Sequence, residues 1–384
     1  MSGAESDLPP YGGAPLPAVL RSRRIGGING LAMQVLEAGF ETAGRPALLL
    51  LHGFPELAYS WRKVMPALAA VGYHVIAPDQ RGYGDTSGWD GDYDGDLWSF
   101  RLPNLVRDAL GLVAALGYRA VEAVIGHDFG SPVAAYCALL RPDVFRRVAL
   151  MSAPFAGPPA LPFNTANGAA PSPPGDLDAA LAALDQPRKH YQTYYGTRPA
   201  DADMRHSAQG IHAFLRAYYH MKSADWTANE PFPLASFTAG ELAKMPRYYI
   251  MDRDKTMAET VAAEMPSASA IAACRWLPEN ELQVYSAAFA RTGFQGGLNW
   301  YRCRGGKFTA ELETYSGLTI DVPACFIAGA SDWGIYQVPG ALERMATRAC
   351  TQWRGTYLVD GAGHWVQQEK PEAVSELLLR FLRA

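Results

Sequence analysis

The segment Gly126–His127–Asp128–Phe129–Gly130 decides the fold, because it sets an acidic residue between two glycines directly after an apolar run. The residues before it, AVEAVI at 120–125, are typical of a buried strand. A glycine two positions before and two positions after a polar residue is typical of the tight turn that exposes a nucleophile at the end of a strand. That position usually carries serine, whereas this chain has Asp128.

The same pattern of a short apolar run recurs along the chain. ALLLLHG at 47–53, HVIAPD at 74–79 and RVALMSAP at 147–154 precede or follow helical patterns, and VPACFIAGASD at 322–332 and TYLVDGAGH at 356–364 resume the pattern later. Continuous apolar runs indicate strands that are buried on both faces. Strands that alternate with helices predict an α/β fold with a mostly parallel, doubly wound sheet.

A long interval without such runs divides the chain. We predict a flexible N-terminal tail over residues 1–24, which are rich in Pro, Gly and Ala. Residues 25–155 and 319–384 are predicted to form the α/β core. Residues 156–318, called the insert below, read as helices and loops with many aromatic residues, and we predict that they form a helical cap or lid between core strands.

Composition narrows the class of protein. The 384 residues carry a net charge of −4 and are 49% hydrophobic, which is typical of an ordinary globular protein and gives no basis for a nucleic-acid partner. Five scattered cysteines without a CxxC pair indicate reduced thiols. The N-terminal residues show no apolar signal segment and no apolar run is long enough to span a membrane, so a cytoplasmic location is expected. Oligomeric state is not readable from the sequence.

Three candidate catalytic residues follow predicted strands in an informative order. They are Asp128, Asp332 and His364. A single Asp after a strand is usually a helix N-cap, and a single His is usually a structural residue. Because the carboxyl ends of parallel strands meet at one edge of the sheet, the three are expected to lie together as nucleophile, acid and base.

Four motifs together resemble the epoxide-hydrolase branch of the α/β-hydrolase superfamily. They are HGFPE at 52–56, DQRGYG at 79–84, GHDFG at 126–130 and GAGH at 361–364. The resemblance implies an α/β-hydrolase fold, no cofactor and no metal, and a small-molecule epoxide as substrate. In this architecture the backbone N–H groups of Phe54 and Phe129 would form the oxyanion hole. Many members carry Trp after the nucleophile, so Phe129 is a departure that concerns pocket shape.

Two tyrosines of the insert complete the resemblance. HYQTYY at 190–195 and LNWYR at 298–302 look like the segments whose tyrosines hold the epoxide oxygen, which would be Tyr191 and Tyr301. Tyr194 is an alternative to Tyr191. The aromatic insert favours an apolar or aromatic epoxide. The residues predicted to line the substrate pocket are His52, Pro55, Tyr194, Trp300, Trp333 and Trp365.

The carboxylate at position 128 indicates the type of reaction. A carboxylate is already a nucleophile at neutral pH, and at an epoxide carbon it gives an ester that water can cleave. A haloalkane-type dehalogenase would use the same aspartate, but Phe54 and Phe129 offer no side-chain N–H donor to a leaving halide. A non-catalytic ligand-binding α/β-hydrolase is an alternative of another class. An ester or lactone substrate also remains open.

Overall fold

The core of the protein is an eight-stranded sheet, described in a computed structural model that covers residues 16–166, 168–171 and 175–384. The ten strands are, in chain order, β1 (Leu20–Ile28), β2 (Leu31–Ala38), β3 (Ala47–Leu51), β4 (His74–Pro78), β5 (Ala123–His127), β6 (Val148–Met151), β7 (Arg188–His190), β8 (Ile250–Asp252), β9 (Ile320–Gly329) and β10 (Cys350–Val359). The order in the sheet is β1-β2-β4-β3-β5-β6-β9-β10.

Six neighbouring strands of this sheet are parallel, from β4 to β10, and β1 and β2 join them in antiparallel pairs. The predicted mostly parallel sheet is therefore confirmed. Every residue of β3, β4 and β5 is buried. This explains why these strands read as continuous apolar runs, since helices cover both faces of a doubly wound sheet.

Within the part of the chain that the structure describes, sixteen α-helices surround or extend the sheet. They are α1 (Met65–Ala70), α2 (Leu102–Ala115), α3 (Gly130–Leu140), α4 (Leu177–Ala182), α5 (Tyr191–Tyr195), α6 (Ala200–Arg205), α7 (Gly210–Lys222), α8 (Ala239–Leu242), α9 (Met257–Ala262), α10 (Ala268–Ala273), α11 (Glu279–Thr292), α12 (Gln295–Arg302), α13 (Lys307–Glu313), α14 (Ala341–Arg344), α15 (Val366–Glu369) and α16 (Pro371–Arg383). Helix α3 packs on β5 and β6 and against α2.

The insert enters the chain between β6 and β9, which are neighbours in the sheet. Helices α4 to α13 lie within it. The prediction of helices and loops alone was incomplete, because β7 and β8 pair as a small antiparallel sheet. The insert contacts the loops at the carboxyl ends of core strands: Trp300 Nε1 donates to Arg81 O, and the Tyr219 hydroxyl donates to Pro55 O.

The predicted N-terminal tail extended too far, because residues 20–24 belong to a strand. Strand β1 begins at Leu20, which is buried, and pairs with β2. Arg21 and Arg23 form ion pairs with the buried carboxylate of Glu37 across the two strands, so arginines that looked solvated hold an edge strand in place. Residues 1–15 of the predicted tail lie outside the described residues.

All five cysteines lie in the described ranges, and each is free of a disulfide. Within the part of the chain that the structure describes, no helix combines the length and the apolar character needed to cross a membrane.

Candidate active site

A tight turn between β5 and α3 presents Asp128. Its backbone φ of +50° lies in the left-handed region, which asparagine and aspartate tolerate better than other non-glycine residues. The flanking glycines are required by close approach. A Cβ on Gly126 would lie 2.1 Å from Gly130 O, and a Cβ on Gly130 would lie 2.3 Å from Leu51 O. The glycine spacing in the sequence therefore has a steric cause.

The substitution Gly130→Ala is expected to lower the free energy of unfolding by about 2–4 kcal/mol, because the added methyl group would overlap the backbone of β3. Denaturant unfolding followed by circular dichroism measures the change. Gly240→Ala is the matched control, since a Cβ at Gly240 meets no atom within 4 Å, and a change within about 0.5 kcal/mol is expected there. Equal stability of the two variants would contradict this steric account.

The structure brings the three predicted strand-end residues together. His364 Nε2 lies 3.1 Å from Asp128 Oδ2, and His364 Nδ1 lies 3.1 and 3.2 Å from the two carboxylate oxygens of Asp332. Asp332 also accepts a hydrogen bond from Gly334 N–H at 2.7 Å. All three side chains are buried, so the imidazole is held between two carboxylates in a region from which water is largely excluded.

This arrangement shifts the pKa of all three groups. Burial alone would raise the pKa of Asp128, but the hydrogen bond and charge of His364, together with Lys222 and His127, hold it well below its usual range. Burial likewise opposes the ionisation of Asp332, and His364 again outweighs it and lowers the pKa. Burial and Lys222 act to lower the pKa of His364, whereas the two carboxylates raise it above its ordinary value. Both carboxylates are therefore ionised at neutral pH.

The HGFPE segment lies against the nucleophile turn. The N–H of Phe54 donates to Asp128 Oδ1 at 2.9 Å. This approach requires Gly53, since a Cβ there would lie 2.3 Å from Asp128 Cβ. Phe129 follows Asp128 directly and precedes α3, and its ring lies 5.1 Å from the ring of Tyr301. The two residues predicted to supply the oxyanion hole thus flank Asp128.

A buried network beneath the turn was missed in the sequence. Glu56 accepts the N–H of Gly53 at 3.1 Å and lies 2.6 Å from His127 Nδ1. His127 Nε2 lies 2.7 Å from the carbonyl oxygen of His364. Gln367 Nε2 also donates to Glu56, at 2.9 Å. The network joins the loop after β3, the turn after β5 and the loop after β10, and the Glu of HGFPE was the only signal for it.

The two predicted tyrosines lie together above Asp128. Their ring centroids are 6.0 Å apart, and both side chains are buried. The Tyr191 hydroxyl donates to Gln337 Oε1 at 3.1 Å and accepts from Gln192 Nε2 at 3.0 Å. Burial, and after it the charge of Asp128, raises the pKa of Tyr191 and of Tyr301 above the usual value, so both phenols keep their protons at neutral pH.

A cavity of about 460 Å³ opens onto these groups. Its buried lining includes Asp128, Phe129, Tyr191, Tyr301 and Ile335. Three polar or charged residues of the lining are exposed, namely Asp176, Thr193 and Arg304. Phe237 and Val338 are also exposed, so the cavity has a rim of mixed charged and apolar residues and a mainly aromatic, apolar interior that includes the Asp128 carboxylate.

The six residues that the sequence predicted to line the substrate pocket do not line this cavity. The described lining of this cavity includes none of His52, Pro55, Tyr194, Trp300, Trp333 and Trp365. Tyr194 is turned away, and its hydroxyl donates to Asp203 at 3.0 Å. His52 is fully buried and accepts the N–H of Gln80 at 3.0 Å, and burial lowers its pKa to about 4. Its neutral ring holds two loops together.

The three tryptophans that were predicted to line the pocket are instead packing residues. All three are buried between the core and the insert. Trp365 Nε1 donates to Tyr219 O at 2.8 Å, and the Trp365 ring lies 4.7 Å from the ring of His364. Trp300 packs against Phe129 at 5.2 Å, and Trp333 packs against Phe232 at 4.9 Å. Their place in the sequence next to functional residues did not reveal on which side they pack.

Two further residues near the site carried no sequence signal. Gln337 contacts the Tyr191 hydroxyl from the core side. Lys222, the last residue of α7, is buried and acts electrostatically on both Asp128 and His364.

Among residues 16–166, 168–171 and 175–384, no cluster of His, Cys, Asp or Glu is arranged to hold a metal ion.

The chain is similar to known proteins over most of its length. Residues 46–371 match the family model for the alpha/beta hydrolase fold. Epoxide hydrolase A of Mycobacterium tuberculosis is 35% identical over 371 residues, covering 94% of this chain and 97% of that protein. Epoxide hydrolase B of the same organism is 34% identical, covering 88% and 91%.

Solved structures give the same result. An epoxide hydrolase from an endophytic Streptomyces superposes with a TM-score of 0.76 at 29% identity and covers 96% of each chain. Epoxide hydrolase A from Mycobacterium thermoresistibile superposes with a TM-score of 0.70 at 31% identity, covering 95% of this chain and 98% of that one. The chain belongs to the α/β-hydrolase family and, within it, to the epoxide-hydrolase branch.

Proposed function

We propose that the protein is an epoxide hydrolase that converts an epoxide to a vicinal diol through an ester on Asp128. The observation that carries the proposal is the position of Asp128 at the buried end of the cavity, between His364 and the rings of Tyr191 and Tyr301. A carboxylate in this position suits displacement at a saturated carbon.

In the first half-reaction, an oxygen of Asp128 attacks one ring carbon, and the carbon–oxygen bond of the epoxide breaks. The bonding electrons move to the epoxide oxygen, which takes a proton from Tyr191 or Tyr301 while the other phenol donates a hydrogen bond. Because the pKa of both phenols is raised, both are available as donors, and such placed donors stabilise the developing alkoxide. The Tyr191 hydroxyl turns from Gln337 to the substrate oxygen.

In the second half-reaction, His364 takes a proton from water while Asp332 orients the imidazole and balances its charge. The resulting hydroxide adds to the carbonyl carbon of the Asp128 ester, and the N–H groups of Phe54 and Phe129 hold the oxyanion. Collapse of this intermediate releases the diol and restores the carboxylate. The two protons of the water finish on the leaving diol oxygen and on the phenolate, so the enzyme returns to its starting state without metal or cofactor.

The substrate is proposed to be an apolar or aromatic epoxide, with residues 156–318 acting as a cap over the core of residues 25–155 and 319–384. Support comes from the lining of the cavity, which includes Phe129, Ile335 and the two tyrosine rings together with the Asp128 carboxylate. An aryl or alkyl group can bury its surface against these side chains.

A panel of aryl and aliphatic epoxides, haloalkanes and simple esters tests the proposed reaction. Diol formation that is lost in Asp128→Asn supports it. Halide release without diol formation would favour a dehalogenase. Stoichiometric binding of ligands without turnover of any class would favour a ligand-binding protein, and acid release from esters alone would favour an esterase.

Tyr191→Phe and Tyr301→Phe are each expected to slow ester formation about 10–100-fold, and the double variant at least about 1000-fold, because each change removes one donor to the epoxide oxygen. Rapid-mixing measurement of the alkyl-enzyme tests this. Tyr194→Phe is the matched control in the same helix, since its hydroxyl faces Asp203. If Tyr194→Phe alone were slow, the assignment of Tyr191 would be wrong.

A further inference from the structure

Lys222 is a buried lysine close to the catalytic groups. Only 3% of its surface is exposed, although it ends helix α7 and could have extended into solvent. Within the described residues, its ammonium forms no ion pair and no hydrogen bond. Since lysine is almost never fully buried without a partner, its position requires an explanation.

Three aromatic rings surround this ammonium. Nζ lies 5.4 Å from the ring centroid of Tyr218, 5.2 Å from that of Tyr249 and 5.3 Å from that of Trp365. The faces of such rings attract a cation at these distances, which offsets part of its desolvation. The rings hold the ammonium in place without neutralising it, so its charge remains available to act on neighbouring groups.

Two contacts connect Lys222 to the loop that carries the catalytic histidine. The carbonyl oxygen of Lys222 accepts the backbone N–H of His364 at 2.8 Å. Trp365, one of the three rings around the ammonium, lies 4.7 Å from the His364 ring. The loop approaches so closely that a Cβ on Gly363 would lie 2.6 Å from Lys222 O. Lys222 is therefore fixed relative to His364.

We propose that Lys222 is a positioning residue of the second half-reaction, and that its buried ammonium keeps His364 neutral once Asp128 has become an ester. The proposal rests on the proposed function, because it concerns a step that exists only if the ester forms.

The charges around His364 change when the ester forms. In the resting protein, Asp128 and Asp332 both favour the imidazolium, and together they outweigh burial and Lys222. Alkylation removes the charge of Asp128. Burial and Lys222 then oppose Asp332 alone, so the pKa of His364 falls and the imidazole can accept a proton from water. Without Lys222, Asp332 would hold more of the histidine in the protonated form, which cannot act as a base.

Charged and titratable groups from several elements lie around Lys222 and His364. Those facing the ammonium are Asp128, Asp332, Glu56, Tyr218, Tyr249 and His364. The His364 loop also contacts His127 and Glu369, the latter through the N–H groups of Gly363 and Trp365. Lys222 belongs to α7 and not to the His364 loop, and alkylation of Asp128 leaves the charge of its ammonium unchanged.

The test compares ester hydrolysis in the native protein, Lys222→Met and Lys222→Arg across pH. The alkyl-enzyme is formed by rapid mixing with excess protein over epoxide, and its decay is followed by quenching and intact-protein mass. In Lys222→Met the midpoint of the acid limb is expected to rise by about one pH unit, which slows hydrolysis about tenfold well below the midpoint. At high pH the rate is expected to match the native rate within about twofold.

Lys222→Arg keeps the charge and is expected to restore the native midpoint. Lys244→Met is the matched control, since Lys244 is exposed and pairs with Glu241 at the surface. An unchanged midpoint in Lys222→Met, or an equal shift in Lys222→Arg and Lys222→Met, would overturn the proposal. Failure of the native protein to form any ester would instead reject the proposed function, so the two failures are distinguishable.

A second measurement covers the case in which Lys222→Met does not fold. Carbon-13 labelling of the lysine side chains in the native protein reports the charge of Lys222 directly, with Lys222→Arg used to assign its signal. The proposal requires an ammonium throughout the pH range of turnover, although burial lowers the pKa of this group. A neutral amine in that range would overturn it.

Discussion

Asp128→Asn is expected to reduce kcat/KM for epoxide hydrolysis at least about ten-thousand-fold, since it removes the nucleophile on which both half-reactions depend. An amide oxygen is a far weaker nucleophile than a carboxylate. The His364 imidazole is held beside Asp128 Oδ2 at 3.1 Å, where it serves as a base and not as a second nucleophile. Diol formation under steady-state conditions measures the loss, and intact-protein mass is expected to show no adduct.

The substitution is well suited to separating chemistry from folding. Asparagine tolerates the φ of +50° at this turn as well as aspartate does. Its side-chain oxygen can still accept the N–H of Phe54, and its NH₂ group can donate to His364 Nε2, so both contacts of the native side chain are kept. Thermal unfolding is therefore expected to stay close to that of the native protein.

The matched control is Asp96→Asn, at an exposed Asp whose side chain accepts the N–H of Trp98, a contact that asparagine also makes. Full activity is expected there. Deamidation of the new asparagine would regenerate Asp128 slowly, so the mass of the protein is followed during the assay. Normal turnover by fresh, undeamidated Asp128→Asn would show that the covalent path is wrong.

The sheet and the catalytic turn could be predicted because the features that produce them show in short stretches of sequence. Strands β3, β4 and β5 are buried on both faces, which forces a continuous apolar run of residues. Glycine is required at 126 and 130 because a Cβ at these positions would lie 2.1 Å from Gly130 O and 2.3 Å from Leu51 O, respectively. The positions of Asp332 and His364 followed from the geometry of parallel strands, whose carboxyl ends share one edge.

The edge of the sheet was harder to predict. Strand β1 reads LRSRRIGGI, which lacks the apolar run of a central strand and looks like a charged tail. Its arginines are explained only by Glu37 on the neighbouring strand, a pairing that depends on register. Edge strands face solvent on one side, so their composition overlaps with that of loops.

The pocket was the least predictable part of the site. Trp300 and Trp365 neighbour functional residues in sequence, but adjacent residues in a helix or turn point in different directions. Gln337, Arg304 and Ile335 line the cavity only because the insert and the loop after β9 meet there. The burial of Lys222 was also unpredictable from the sequence. A lysine at the end of an amphipathic helix normally indicates a solvated side chain.

Substitution at the other end of the triad has a different expected result, because it leaves the nucleophile in place. In His364→Gln, the N–H of Phe54 still donates to Asp128, and the charge of Lys222 still stabilises the carboxylate. Asp128 is therefore expected to remain ionised at pH 8 and to attack the epoxide. The base for water is lost. Ester formation is therefore expected to continue while ester hydrolysis slows at least about a thousand-fold.

The intermediate is then expected to accumulate to one adduct per chain, seen as an increase in intact mass equal to the mass of the epoxide and mapped by proteolysis to the peptide containing Asp128. The double variant Asp128→Asn with His364→Gln removes the acceptor and is expected to show no adduct. His206→Gln, at an exposed histidine at the end of α6, controls for the substitution itself. An adduct that hydrolysed at the native rate would show that His364 is not the base. Absence of an adduct with an epoxide that the native protein turns over would argue instead for direct attack of water on the ring. The two outcomes separate the role of the histidine from the existence of the ester, which no single change at Asp128 can do.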